Sequence, residues 1–137
     1  DLPTVSKWLQ NAGVHGFDPN QDRPLIERAG ETCASKQLQA EGHQIERVAD
    51  RQQLGYDLQC VGHCPCVFEV KGMTQPGDIT LEPSEVTAAR AHGEGYILLI
   101  VYGLPENPVI RRLSKPERVW EPVERARIPV DVWRREA

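Results

Sequence analysis

Two neighbouring stretches decide how this chain folds: Gly55-Tyr56-Asp57-Leu58-Gln59-Cys60-Val61 and, after the turn signal Gly62-His63, Pro65-Cys66-Val67-Phe68-Glu69-Val70-Lys71-Gly72. Two runs of strand-forming residues with glycine punctuation between them predict a β-hairpin. Alternate side chains of a strand leave opposite faces, so Glu69 and Lys71 share one face. Antiparallel pairing sets Asp57, at the start of the first arm, near Glu69, at the end of the second. Two carboxylates and one ammonium then converge at one end of a sheet. Like charges gathered in a partly buried place are costly unless a cation sits between them. Hard oxygen ligands with an open shell suit Mg²⁺ or Mn²⁺, and a lysine beside them can stabilise developing negative charge or orient an attacking water. An isolated Glu-x-Lys in a strand is ordinarily a plain ion pair. Here the apolar Val67, Phe68 and Val70 flank it, where charge is expensive without a purpose.

Working outward, Leu25, Ile26, Ala29, Cys33, Ala34 and Leu38 recur at helical spacing, and Gly42 follows as a stop signal, which predicts a helix from about Arg23 to Glu41. Gln44 to Ala49 reads as a strand, with Ile45 and Val48 as apolar points, and Asp50 to Leu54 as a polar connection. Beyond the hairpin, Thr74 to Gly77 is a loop and Ile79-Thr80-Leu81 is short and extended. Glu82-Pro83-Ser84-Glu85 opens a helix, with proline at the first helical position, that runs to about His92-Gly93. Tyr96 to Tyr102 carries no charge and is expected to be a central strand buried on both faces; Val109 to Leu113 is a further strand. Before all of these, Val5 to Ala12 reads as a short helix and Gly13 to Gln21 as loop. The last 24 residues mix Pro, Arg, Glu and apolar positions without a clear period. The expected class is α/β: one mixed central β-sheet flanked by helices.

The chain has 137 residues, 39% hydrophobic and 26% charged, enough for one domain with its own core. Its longest apolar run is a strand's length, so composition excludes a membrane span, a collagen-like fibre, a coiled coil and a disordered chain. The chain starts at Asp1, its only methionine is Met73, and no signal-peptide pattern opens it. It reads as a domain excised from a longer cytoplasmic protein. The net charge is −4, which argues against binding nucleic acid by bulk electrostatics. That charge is uneven: residues 1–110 carry 8 Lys and Arg against 15 Asp and Glu, residues 111–137 carry 8 against 5. An acidic body with a basic tail fits a metal-using site beside a phosphate-contacting edge, and fits an ordinary solvated surface equally well.

Gly55-Tyr56-Asp57 followed by Val67-Phe68-Glu69-Val70-Lys71-Gly72 resembles the D…(D/E)xK core of the PD-(D/E)xK nuclease superfamily, closest to the domain named after the C-terminus of the plant protein NO VEIN. The resemblance spans about Leu25 to Tyr102. It includes the helix LIERAGETCASKQLQAEG before the hairpin and the turn and helix ITLEPSEVTAA after it. Tyr56 stands where the superfamily name has proline. The resemblance implies a restriction-endonuclease-like core of order α-β-β-β-α-β, with residues 1–22 a short helix and linker, 23–113 the nuclease-like core and 114–137 an extension packed on it. It implies a Mg²⁺- or Mn²⁺-dependent DNA endonuclease in which Asp57, Glu69 and a glutamate of the first helix hold metal while Lys71 assists. Glu31 is preferred for that glutamate because it lies eleven residues before Gly42; Glu27, on the same helix face, is the second choice. The implied partners are DNA and further domains of the parent, a helicase or ATPase or a modified-base reader, in restriction, phage defence or repair. A homodimer with one site per strand is the implied assembly.

Other residues carry weaker signals. Thr80 and Glu85 sit where the family places a polar turn, so they are candidates to line the cleft, although Glu85 three residues after Glu82 also suits a helix start. Gln75 is a candidate phosphate contact. His63 and His92 read as hairpin or surface residues. Arg111, Arg112, Lys115 and Arg118 form a basic run that suits a DNA backbone or plain solvation. Two rival readings remain: a non-cleaving module of the same fold that binds DNA or a protein, and a zinc-bearing interaction domain built on Cys60, His63, Cys64 and Cys66. In the bland alternative to zinc these are small thiols in and beside the hairpin.

Overall fold

A computed structural model describes residues 23–51, 53–62, 65–121 and 126–137. The helix and loop expected within residues 5–21, together with His63 and Cys64 of the zinc reading, lie outside the described residues. The elements in chain order are α1 (Arg23–Ala40), β1 (Ile45–Arg47), β2 (Leu58–Cys60), β3 (Val67–Gly72), β4 (Ile79–Leu81), α2 (Pro83–His92), β5 (Tyr96–Tyr102), β6 (Val109–Ser114), β7 (Ala126–Ile128) and α3 (Val130–Glu136). The fold is α/β. A five-stranded mixed sheet runs β1-β2-β3-β5-β6, and β4 pairs with β7 in a separate two-stranded ribbon.

Helix α1 buries Ile26, Ala29, Cys33, Ala34 and Leu38, the apolar positions spaced three and four apart. It stops where Gly42 takes φ +96° and His43 N–H donates to the Leu38 carbonyl at 3.1 Å. The hairpin is antiparallel, with Leu58 opposite Phe68 and Gln59 opposite Val67. Strands β3 and β5 run parallel, Glu69 beside Leu98 and Lys71 beside Ile100. The connection between them passes through β4 and α2, as a parallel pair requires.

Alternation along the two central strands splits the core in two. Phe68, Val70, Leu99 and Val101 pack with α1. Val67, Tyr96, Leu98 and Ile100 pack on the other face with Val86, Ala88 and Ala89 of α2, with β4 and β7, and with Trp133 of α3. Glu69 and Lys71 have the parity of Val67, so they leave β3 on the α2 face. Residues 114–137 add β7 and α3; Ala126, Ile128 and the fully buried Trp133 pack into that second core layer, and Trp133 Nε1–H donates to Gly77 O at 2.8 Å.

Two predicted strands are shorter than expected. The strand expected over Gly55–Val61 forms only at Leu58–Cys60. Gly55 takes φ +85° instead and packs so close to α2 that any side chain there would collide with the Ser84 carbonyl. The strand expected over Gln44–Ala49 is confined to Ile45–Arg47. Strand β5 lies between β3 and β6 as expected, although Ile97 and Tyr102 are half-buried rather than buried.

Candidate active site

The sheet end that bears Glu69 and Lys71 opens into a cleft of about 650 Å³, walled by α1, the end of β3, the segment 73–80 and the start of α2. Asp57, Glu69, Lys71, Glu31 and Glu85 all line it, as do Thr80 and Gln75.

Asp57 stands one residue before β2. Its backbone N–H donates to Phe68 O at 2.9 Å and its Oδ2 accepts the Val70 N–H at 2.8 Å, so main chain and side chain both tie it to β3. Tyr96, wholly buried below, donates its hydroxyl to Gly55 O at 2.7 Å and fixes the loop from the other side. Burial pushes the Asp57 carboxyl up to about 6; the Val70 hydrogen bond and Lys71 oppose this, and the Glu31 and Glu85 charges add to it. Burial also pushes the Tyr96 hydroxyl upward, reinforced by Glu69, Glu85 and Asp57.

Glu69 is 5% exposed, an unusual place for a strand carboxylate. Its Oε2 lies 3.3 Å from Lys71 Nζ. Lys71 Nζ also meets Glu85, at 3.0 Å to Oε1 and 3.3 Å to Oε2. Burial would strip the proton from Lys71, but Glu69 and Glu85 outweigh it and hold the ammonium charged. Glu69 is raised well above the ordinary carboxyl range, by burial first. Burial acts on Glu85 in the same sense, yet the hydrogen bond from Glu69, the Lys71 charge and the Glu82 N–H hold it below the ordinary range. Glu69, Glu85 and Lys71 thus form one tightly coupled cluster in which the two carboxyls are pushed in opposite directions.

Glu31 reaches the cleft from α1. The approach depends on two glycines: a Cβ on Gly30 would sit 3.0 Å from Gly72 Cα, and one on Gly72 would sit 2.9 Å from Ile26 O. Glu31 is 9% exposed. Arg47 of β1 clasps both its oxygens, Nε to Oε2 at 3.0 Å and Nη2 to Oε1 at 3.2 Å. Arg28 adds a looser contact at 3.6 Å. Glu27 also lines the cleft, but it is exposed and pairs with Arg23 at 3.6 Å. Among the described residues, no three His, Cys, Asp or Glu side chains are placed to grip one metal ion as they stand.

The basic run does not gather at the cleft. Arg112 pairs with Glu41, Arg111 reaches Ala137 O at 3.2 Å, and Arg118 donates to Ser114 O at 2.9 Å. His92 packs edge-on against Tyr56 with ring centroids 5.5 Å apart. Cys60 Sγ lies 3.8 Å from His43 Nδ1. Arg47 is the site-shaping residue that the sequence did not flag, because a single arginine in a three-residue strand has no pattern.

Residues 26–113 match the family described as Protein NO VEIN, C-terminal. The chain belongs to that family. The match runs from within α1 to within β6 and includes every residue named above as lining the cleft. No curated protein matches this NO VEIN C-terminal domain. Among the described residues no helix is long and apolar enough to cross a membrane.

Proposed function

We propose that this domain is a metal-dependent endonuclease that hydrolyses DNA phosphodiester bonds. What supports the reading is the convergence of Asp57, Glu69 and Lys71 in one cleft, with Glu31 on its wall. The donor set fits a hard divalent ion: buried carboxyl oxygens, two of them on groups whose proton affinity burial raises. Asp57 and Glu69, with Glu31, would hold Mg²⁺ or Mn²⁺, which would supply Lewis-acid charge and a more acidic water.

The chain's own residues do the rest. The Val70 N–H fixes the Asp57 carboxyl through Oδ2 at the wall of the cleft. Lys71 keeps its ammonium charged and offers a donor to a phosphoryl oxygen as negative charge develops there. Among the described residues no side chain of the cleft is arranged to read base edges, so target choice would fall to further domains or partners.

A second reading, a non-cleaving module that binds DNA or protein, is favoured by one observation: both Glu31 oxygens are already engaged by Arg47. Plasmid nicking by the full-length protein separates the two. Nicking with Mg²⁺ or Mn²⁺ that EDTA stops is expected; binding without nicking in either metal, at any protein concentration, rejects the enzyme.

A further inference from the structure

The obvious role for Glu85 is at a helix start, and it has that role: the Glu82 N–H donates to Glu85 Oε1 at 2.8 Å in the first turn of α2. That accounts for one oxygen. Both oxygens face Lys71 Nζ, at 3.0 and 3.3 Å, although the side chain is only 13% exposed and a capping glutamate has no need to be buried. A lysine stem has four rotatable carbons and loses rotamer entropy when it is fixed. An ammonium has three donors. The three near acceptors of Lys71 Nζ are Glu69 Oε2 at 3.3 Å and the two Glu85 oxygens, and the cleft that Lys71 lines is on its remaining side.

We propose that Glu85 is a positioning residue for Lys71: with Glu69 it holds the ammonium from the α2 side, so that its charge is fixed beside the bond to be cut. The role rests on the nuclease reading. Helix α2 is the element able to perform it, because Lys71 and Glu69 leave β3 on the face where Val86, Ala88 and Ala89 pack. Docking of the α2 first turn against Gly55 then links the Asp57 loop and the Lys71 ammonium to one rigid support.

The test uses the full-length protein in two assays. In plasmid nicking with Mg²⁺, Glu85→Ala is expected to lower kcat by about tenfold or more with KM for DNA within about threefold. Glu85→Gln, which keeps an acceptor for the Glu82 N–H and for one Lys71 donor, is expected to recover part of the loss. Thr87→Ala, which removes a hydroxyl bond to Pro83 O in the same turn, is expected to leave kcat unchanged. In metal-free protein, the NMR signal of the Lys71 ammonium is expected to be slowed in exchange by its partners and to vanish in Glu85→Ala. A protein that nicks but whose Lys71 signal, or whose kcat, is indifferent to Glu85→Ala overturns the positioning role alone. Wild-type protein that never nicks overturns the nuclease reading, and the role with it.

Discussion

Two helices each bring one glutamate to the same end of the sheet, and they bring it from opposite sides. Glu31 arrives from α1, which packs on the face of Phe68 and Val70. Glu85 arrives from α2, which packs on the face that Glu69 and Lys71 share with Val67. The cations that meet them differ in kind. Arg47 grips Glu31 through two fixed donors and turns it into a well-oriented wall. Lys71, a compact charge on a flexible stem, is divided between Glu69 and Glu85. The guanidinium pair builds the cleft, whereas the ammonium cluster supplies a charge that a substrate can use.

The comparison breaks first if the ammonium cluster is not the reactive one. Asp57→Asn and Lys71→Ala are each expected to cut plasmid nicking by the full-length protein at least about a hundredfold, to the level of an EDTA control. Asparagine is the better test at position 57, since alanine would also leave the Val70 N–H without its partner. Wild-type rates in both variants would remove Asp57 and Lys71 from the active site.

A smaller effect separates the two glutamates of α1. Glu31→Gln is expected to slow nicking by about tenfold or more, and Glu27→Gln by less than about twofold, because Glu27 stays exposed beside Arg23. The reverse order, measured on the same plasmid, would mean that Arg47 holds Glu31 for stability alone.

The third expectation concerns pH. The folded Asp57 carboxyl sits at about 6 against an ordinary 3.8, raised first by burial. The native state therefore binds this proton more tightly than the unfolded chain does. Stability from this group is full below about pH 4 and is lost as pH rises through 6. Glu69 acts in the same direction, and Glu85, held low, acts in the opposite direction only in acid. Urea unfolding in EDTA is expected to show the isolated domain about 1–2 kcal/mol less stable at pH 7.5 than at pH 4.5, with a smaller drop in Asp57→Asn. A flat or rising profile would refute the buried-carboxyl account.

The smallest effect tests the wall. Arg47→Ala leaves the buried Glu31 carboxylate without its main partner, and the partly exposed guanidinium limits the loss to about 1 kcal/mol. Arg23→Ala, which removes an exposed partner of Glu27, is expected to leave the unfolding midpoint where it is.

Much of this was legible in the residues themselves. Helical spacing and the Gly42 stop predicted α1, and Pro83 after Glu82 predicted the start of α2; both effects act within a few residues along the chain. The hairpin and the shared face of Glu69 and Lys71 follow from the period of two. The sequence also flagged Gly55-Tyr56-Asp57, but as strand, because nothing local reveals that Gly55 must turn aside to let α2 approach.

What only the tertiary structure decided is which side chains hold one another. The Arg47 clasp on Glu31 joins residues sixteen apart through the docking of α1 on the sheet. The Lys71–Glu85 contact joins residues fourteen apart through the β3–β4–α2 crossover. The close approach of Gly30 to Gly72 spans a still longer loop. The final residues, shapeless by period, fold as a strand and helix because Ile128 and Trp133 fill the layer beside α2. Local pattern determines which face a residue occupies, because backbone geometry repeats every two or 3.6 residues. It does not determine which cation meets which carboxylate, because that choice depends on faces assembled from distant parts of the chain.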